Sequence, residues 1–178
     1  MSHYDFHKNH FELLGLAPRF HLDAARLDQA YREIQAQVHP DRVAHLGSAE
    51  RRVSMQWATA ANEAYQTLRE PLARARYLLH LRNVDTQEET NTAMPAAFLM
   101  EQMEYREAIA EAKATQDAHA LERLEGQLKE KIAQHLAGLE RALDHAHDDA
   151  AAAALVRSLR FLNKISAEIA DALDALEQ

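Results

Sequence analysis

The chain has 178 residues, of which 35 are alanine and only eight are glycine or proline. Because alanine loses the least free energy in a helix, this composition predicts an all-α protein. The few, widely spaced glycines exclude the glycine-rich phosphate loops of nucleotide-binding enzymes. The absence of cysteine excludes disulfides, thiolate metal sites, a cysteine nucleophile and thiolate-held iron–sulfur clusters.

The formal net charge of −8 is divided unevenly along the chain. Residues 1–82 have a net charge of +2, whereas residues 83–178 have a net charge of −10. This asymmetry indicates two modules with different partners, and the acidic total argues against nucleic acid. No run approaches the roughly 18 apolar residues that cross a bilayer, and the N-terminus resembles no targeting signal. We therefore expect a cytoplasmic chain without a membrane partner.

Apolar spacing predicts an antiparallel pair of helices in the first module. The first helix begins after a candidate N-cap at Asp23. It must end near Val38, because Pro40 disfavours helical geometry at the residue before it. A loop from His39 to Gly47 follows, and Ser48 is the N-cap candidate of the return helix.

The rest of the chain is predicted to hold one more short helix, a linker and a helical bundle. Pro71 suits the first position of the short helix, which ends near Asn83. Residues 83–94 have no apolar period and separate a first domain, 1–82, from a second, 95–178. The second domain is predicted to be an antiparallel three-helix bundle. Its helices are Pro95 to about Thr115, Asp117 to about His145 and Asp149 to about Leu176.

Two bundle helices carry more apolar residues than one core stripe needs. On the first, a second apolar face made of Leu99, Met100 and Met103 points away from the core stripe, and a charged rim of Glu104, Arg106 and Glu107 flanks it. On the last, Phe161 points about 120° away from the core stripe, among charged residues, and we expect its ring to be exposed. A bundle with a wide core would also explain these residues, but an excess on two helices favours a partner surface.

The tripeptide His39-Pro40-Asp41 stands at the predicted tip of the helix pair. It offers no nucleophile, no oxyanion donor and no third metal ligand, so it is a poor catalytic site. It is a good recognition element, because proline fixes the loop while an imidazole and a carboxylate supply polar contacts. Ordinary turns also use Pro and Asp, so the tripeptide alone does not decide between a recognition element and an ordinary turn.

A small helical metalloenzyme is an alternative from a different class. It would use the N-terminal histidines, or His145 and His147, together with the pair Asp148-Asp149. No acidic residue completes a ligand set among those histidines, so we expect neither a metal nor a cofactor.

Several motifs together resemble one family. They are Tyr31-Arg32, the HPD tripeptide followed by Arg42, the helix ending NEAYQTL at 62–68, the segment FLMEQ at 98–102, and Arg160-Phe161-Leu162. The HPD tripeptide between two such helices is typical of J domains. With the downstream segments, the whole chain resembles the HscB family, the J-type co-chaperones of iron–sulfur cluster biogenesis.

The resemblance implies a non-enzymatic adaptor. Its J domain would stimulate ATP hydrolysis by HscA, a DnaK-class chaperone, and its bundle would deliver the scaffold IscU to that chaperone. The chaperone-binding residues would be Arg32, His39, Pro40, Asp41 and Arg42. The scaffold-binding residues would be Leu99, Met100, Met103, Glu104, Glu107 and Phe161.

Two departures and one alternative accompany this resemblance. The first long helix has few basic residues, so we expect a modest chaperone affinity. The absence of the cysteine-bearing zinc segment of eukaryotic members favours a bacterial type. A general J-domain co-chaperone with another client is the alternative, although the chain lacks a Gly/Phe-rich linker.

Overall fold

The computed structural model describes residues 7–43, 45, 47–88 and 96–176, except for the side chains of Pro40 and Val43. The described residues form helices and connecting turns without a strand, and this confirms the predicted all-α class. None of their helices is both long enough and apolar enough to cross a bilayer. The chain divides into two compact units, Met1–Leu81 and Arg82–Gln178.

The first unit contains five described helices. They are α1 (His10–Leu13), α2 (Ala24–Val38), α3 (Pro40–Val43), α4 (Ser48–Arg69) and α5 (Pro71–Leu81). The predicted cap of α2 is confirmed, since the Asp23 carboxylate accepts the backbone N–H groups of Ala25 and Arg26. The predicted cap of α4 is wrong by one residue. Gly47 is the N-cap, and its N–H donates to the Glu50 carboxylate at 3.2 Å.

The loop prediction for 39–47 is also partly wrong, because the one-turn helix α3 begins at Pro40. The fixed φ of proline suits the first helical position, where its missing N–H is not needed. The Arg42 N–H donates to the His39 carbonyl at 2.9 Å and closes this turn. A four-residue helix is too short to show an apolar period, so spacing could not have predicted it.

Helices α2 and α4 pack as the predicted antiparallel pair, and α1 and α5 pack against α4. Their apolar sides form a shared core that includes Phe11, Leu27, Ile34, Trp57, Leu68, Leu72 and Leu79. Helix α1 was not predicted. It is held by an N-terminal capping box between Asn9 and Glu12 and by the stacking of His10 on Tyr77, with ring centroids 4.2 Å apart.

The second unit is a bundle of three long helices that all contact one another. They are α6 (Ala96–Thr115), α7 (Ala118–Glu140) and α8 (Asp149–Leu176), and a π-helical turn, Arg141–Ala146, extends α7. One core cluster joins α6, α7 and α8 and contains Ile109, Ala112, Leu121, Leu128, Leu162, Ile165, Ile169 and Ala172. Phe98 and Tyr105 of α6 are partly buried against this cluster.

The segment 82–88 belongs to the second unit and lies against α8 and the π-helical turn. Arg82 pairs with Asp149 at 2.6 Å and donates to the Leu143 carbonyl at 3.0 Å. Arg157 of α8 donates to the Thr86 carbonyl at 2.9 Å. The predicted linker therefore begins with residues that are hydrogen-bonded to the bundle, and its residues 89–94 lie outside the described part of the chain.

Candidate functional sites

The first candidate site is the tip segment His39–Arg42, between α2 and α4. The side chains of His39 and Asp41 are 60% and 93% exposed. The Asp41 N–H donates to His39 Nδ1 at 3.3 Å, so Nε2 carries the hydrogen in the neutral ring. Arg42 is also exposed. The tip segment therefore presents an N–H donor, a carboxylate acceptor and a guanidinium to a partner.

Arg32 lies on α2, and a pair of stacked tyrosines next to it joins α2 to α4. The rings of Tyr31 and Tyr65 are 4.2 Å apart and nearly parallel, at 13°. Tyr65 Oη donates to the Asp28 carboxylate at 2.8 Å, and this hydrogen bond raises the pKa of Tyr65. Tyr31 Oη donates to Asn62 at 3.1 Å. These contacts fix the register of the two helices below the tip segment.

The second candidate site is the α6 face, made of Leu99, Met100 and Met103. These side chains are 44%, 62% and 61% exposed. They are three of the five large apolar side chains that are exposed among the described residues. Folding normally buries such side chains, so a contiguous exposed group on one helix indicates a partner surface.

Charged residues border the α6 face as predicted, and two ion pairs join α6 to its neighbours. Glu104 and Glu107 are exposed. Glu101 pairs with Lys131 of α7. Arg106 pairs with Glu168 of α8, with Arg106 Nε 3.8 Å from a carboxylate oxygen. The border of the face therefore carries the carboxylates of Glu104 and Glu107, while the cations Lys131 and Arg106 are engaged in ion pairs.

The expectation that Phe161 would be exposed is wrong, because the side chain is only partly accessible. Its ring meets that of Phe98 edge to face, with centroids 6.3 Å apart and planes at 66°. A helical angle gives the direction of a side chain but not the reach of a neighbouring helix. Phe161 therefore sits at the contact between α6 and α8, where Phe98 covers part of its ring.

The residues of the metalloenzyme alternative have other roles in the structure. The Asp148 carboxylate accepts the Ala151 N–H at the start of α8, and Asp149 pairs with Arg82. His147 occupies a left-handed conformation at the end of the π-helical turn. Among residues 7–88 and 96–176, where they are described, no three His, Asp or Glu side chains are placed to hold a metal ion. His3 lies outside those residues.

Sequence reasoning missed two features of these sites. One is the tyrosine pair that joins α2 to α4, and the other is the cover that Phe98 provides for Phe161. Tyr31 and Tyr65 both stood in the segments that carried the family resemblance, but spacing within one helix cannot show a contact between two. Pro40 is predicted as a contact residue, and its side chain lies outside the described part of the structure.

Comparisons with known proteins agree with this architecture. Residues 94–170 match the family model described as the HSCB C-terminal oligomerisation domain. The chain is 53% identical over 173 residues to a co-chaperone protein HscB homolog of Aromatoleum aromaticum, covering 97% of this chain and 98% of the relative. It is 56% identical over 171 residues to the homolog of Ralstonia nicotianae, covering 94% and 96%.

Solved structures show the same fold. Chaperone HscB from Vibrio cholerae superposes with a TM-score of 0.83 at 35% identity, over 95% of this chain and 99% of that one. Human co-chaperone protein HscB gives a TM-score of 0.86 at 30% identity, over 94% and 83%. The first unit is accordingly a J domain and the second the helical domain that follows it. On sequence and structure together, the chain belongs to the HscB family of co-chaperones.

Proposed function

We propose that this co-chaperone joins the iron–sulfur scaffold IscU to the DnaK-class chaperone HscA and stimulates the chaperone's ATPase. The observation that carries the proposal is the α6 face, which leaves three large apolar side chains in solvent on a helix whose Ile109 and Ala112 pack in the bundle core. The proposed contacts for HscA are Arg32 and His39–Asp41 with Arg42. The proposed contacts for IscU are the α6 face, Glu104, Glu107 and Phe161.

The chain acts on ATP hydrolysis by binding the chaperone, and the hydrolytic chemistry belongs to the chaperone. The tip segment has no nucleophile, but it has exposed donor and acceptor groups on a short helix that is already formed. A preformed segment loses little conformational entropy on binding. Its contacts can therefore favour one conformation of the chaperone over another, which is how binding changes a partner's activity.

The α6 face suits a client that contributes apolar side chains with basic groups around them. Methionine side chains are flexible and polarisable, so they adapt to the shape of a partner. The exposed Glu104 and Glu107 would attract cations at the border and speed encounter more than they add affinity. Because the two proposed sites lie on separate units, one chain can hold chaperone and scaffold at once. We propose the cytoplasm as the place where this occurs.

ATPase assays of HscA with the co-chaperone, run with and without IscU, test both the proposed chaperone contact and the proposed scaffold contact. We expect His39→Gln to remove stimulation in both assays. We expect Met103→Ala to keep the stimulation without IscU and to lose the enhancement that IscU provides. Met55→Ala is the matched control, since Met55 is 70% exposed on α4 and belongs to neither proposed site.

Three results would contradict the proposal. Normal stimulation by His39→Gln would show that the tip segment is not the chaperone contact. Equal effects of Met55→Ala and Met103→Ala would show that exposure alone, and not the α6 face, governs the response. If the parent chain stimulates HscA but does not bind IscU, the client is another protein.

A further inference from the structure

We propose that Phe98 is a positioning residue that holds the ring of Phe161 in the orientation that the scaffold binds. This inference rests on the proposed function, because it assigns a role to a neighbour of the proposed IscU contacts. Phe98 is partly buried on the core side of α6, and its exposed neighbours Leu99 and Met100 lie on the α6 face. Its ring contact with Phe161 is the route by which it can order the surface beside that face.

The contact that Phe98 makes is specific in geometry. The two rings meet edge to face at 66° with centroids 6.3 Å apart, which is the arrangement that aromatic quadrupoles favour. Phe98 also packs against the core cluster of the bundle, so its own ring has little freedom. A fixed ring on one side restricts the rotamers that Phe161 can adopt on the other.

A second contact holds the same two helices in register. Arg106 lies eight residues after Phe98 on α6, and Glu168 lies seven residues after Phe161 on α8. Their ion pair, at 3.8 Å, shows that the helices run parallel and stay adjacent over two turns. The ring contact at Phe98 and the ion pair at Arg106 therefore both set the position of Phe161 relative to the α6 face.

The two arginines beside Phe161 on α8 are engaged away from its ring. Arg157 donates to the Thr86 carbonyl at 2.9 Å, and Arg160 donates to the Glu88 carbonyl at 3.1 Å. The segment 82–88 thus holds two long side chains that would otherwise be free to fold over the aromatic ring. Neither arginine therefore covers the accessible part of Phe161.

Ordering a flexible side chain at an interface costs affinity, and a ring that is ordered beforehand avoids that cost. Loss of the Phe98 ring should therefore weaken scaffold binding through its effect on Phe161. An edge-to-face pair contributes enough to change affinity by about two- to tenfold. The same argument predicts that Phe98 has no effect once the ring of Phe161 is absent.

A double-mutant cycle on the full chain tests this role with IscU as the ligand. We expect Phe98→Leu to weaken binding about two- to tenfold and Phe98→Tyr to bind like the parent. We expect Phe98→Leu to have no further effect in the Phe161→Leu background. Tyr105→Leu is the matched control for stability, because Tyr105 packs on the same cluster, whereas the ring that meets Phe161 among the described residues is that of Phe98.

A spectroscopic measurement reports the contact without any partner. The ring protons of Phe161 should shift in the NMR spectrum of Phe98→Leu and stay in place in Tyr105→Leu. Additive losses in the cycle, or unchanged shifts in Phe98→Leu, would overturn the positioning role. If Phe161→Leu binds IscU like the parent while the shifts change as expected, the proposed scaffold contact fails and the functional part of this inference fails with it.

Discussion

The substitution Met100→Ala separates a binding residue from a core residue. Met100 is 62% exposed, so folding buries little more than a third of it. Full burial of a methionine side chain contributes about 1.5–3 kcal/mol, and the part that Met100→Ala removes is therefore about 0.5–1 kcal/mol. For a chain of this length, that corresponds to a fall in Tm of about 1–4 °C.

The matched core substitution is Leu128→Ala on α7. Leu128 is fully buried in the cluster that joins the three bundle helices. Leucine-to-alanine changes in such places cost about 2–5 kcal/mol, since they lose burial and leave a cavity. We therefore expect Leu128→Ala to lower the Tm several times more than Met100→Ala does.

Binding should show the opposite order. A central interface residue often contributes about 2 kcal/mol, so Met100→Ala is expected to weaken IscU binding roughly thirtyfold. Leu128→Ala should bind like the parent at temperatures where it remains folded. The assays are thermal unfolding followed by circular dichroism and titration calorimetry with IscU. If Met100→Ala melts as early as Leu128→Ala and binds IscU normally, the α6 face is a structural surface and the reasoning is refuted.

Three further predictions concern single side chains. Asp41→Asn should melt like the parent and fail to stimulate HscA, because Asp41 is exposed and surface changes usually stay within about 0.5 kcal/mol; a loss of helicity on circular dichroism would contradict this. Burial lowers the pKa of His10 in the folded chain, and Glu63 opposes this shift. Protonation of His10 therefore favours the unfolded chain. The stability that is present above the unfolded-state pKa of His10 is lost as the pH falls. The variant His10→Phe keeps a ring on which Tyr77 can stack. Between about pH 7.5 and about pH 5, its Tm should fall less than that of the parent. Equal falls in Tm would show that His10 is not the group responsible. Gln102→Leu should raise the Tm, since the buried Gln102 Nε2 has no hydrogen-bond partner among the described residues and an unpaired buried donor costs about 1–3 kcal/mol; a lower Tm would show that this amide is paired.

The long helices could be predicted from the sequence because each has enough residues to show an apolar period. Helix α2 is an example, since Asp23 marks its start and Pro40 limits its end. The same reasoning found the α6 face, because Met100 and Met103 depart from the core stripe of their own helix. These predictions depend on residues within one helix, and they needed no knowledge of its neighbours.

The parts that were missed depend on contacts between helices or on elements of one turn. The four residues of α1 have no period, and the capping box at Asn9 is the local signal that could have revealed them. Phe161 was expected in solvent because its direction was known but the position of Phe98 was not. Prediction from one helix therefore identified the exposed apolar side chains of α6 and left their boundary with α8 open.

The exposure of Met100 and Met103 makes the α6 face open to oxidation. Peroxide transfers one oxygen atom to an accessible thioether and leaves as water, and the product is a polar sulfoxide. A face that binds through apolar contact would lose affinity until a methionine sulfoxide reductase restored the thioether. Met55 is 70% exposed and provides an internal reference for peptide mass spectrometry. Because the chain has no cysteine, methionine thioethers are the sulfur atoms on which an oxidant can act.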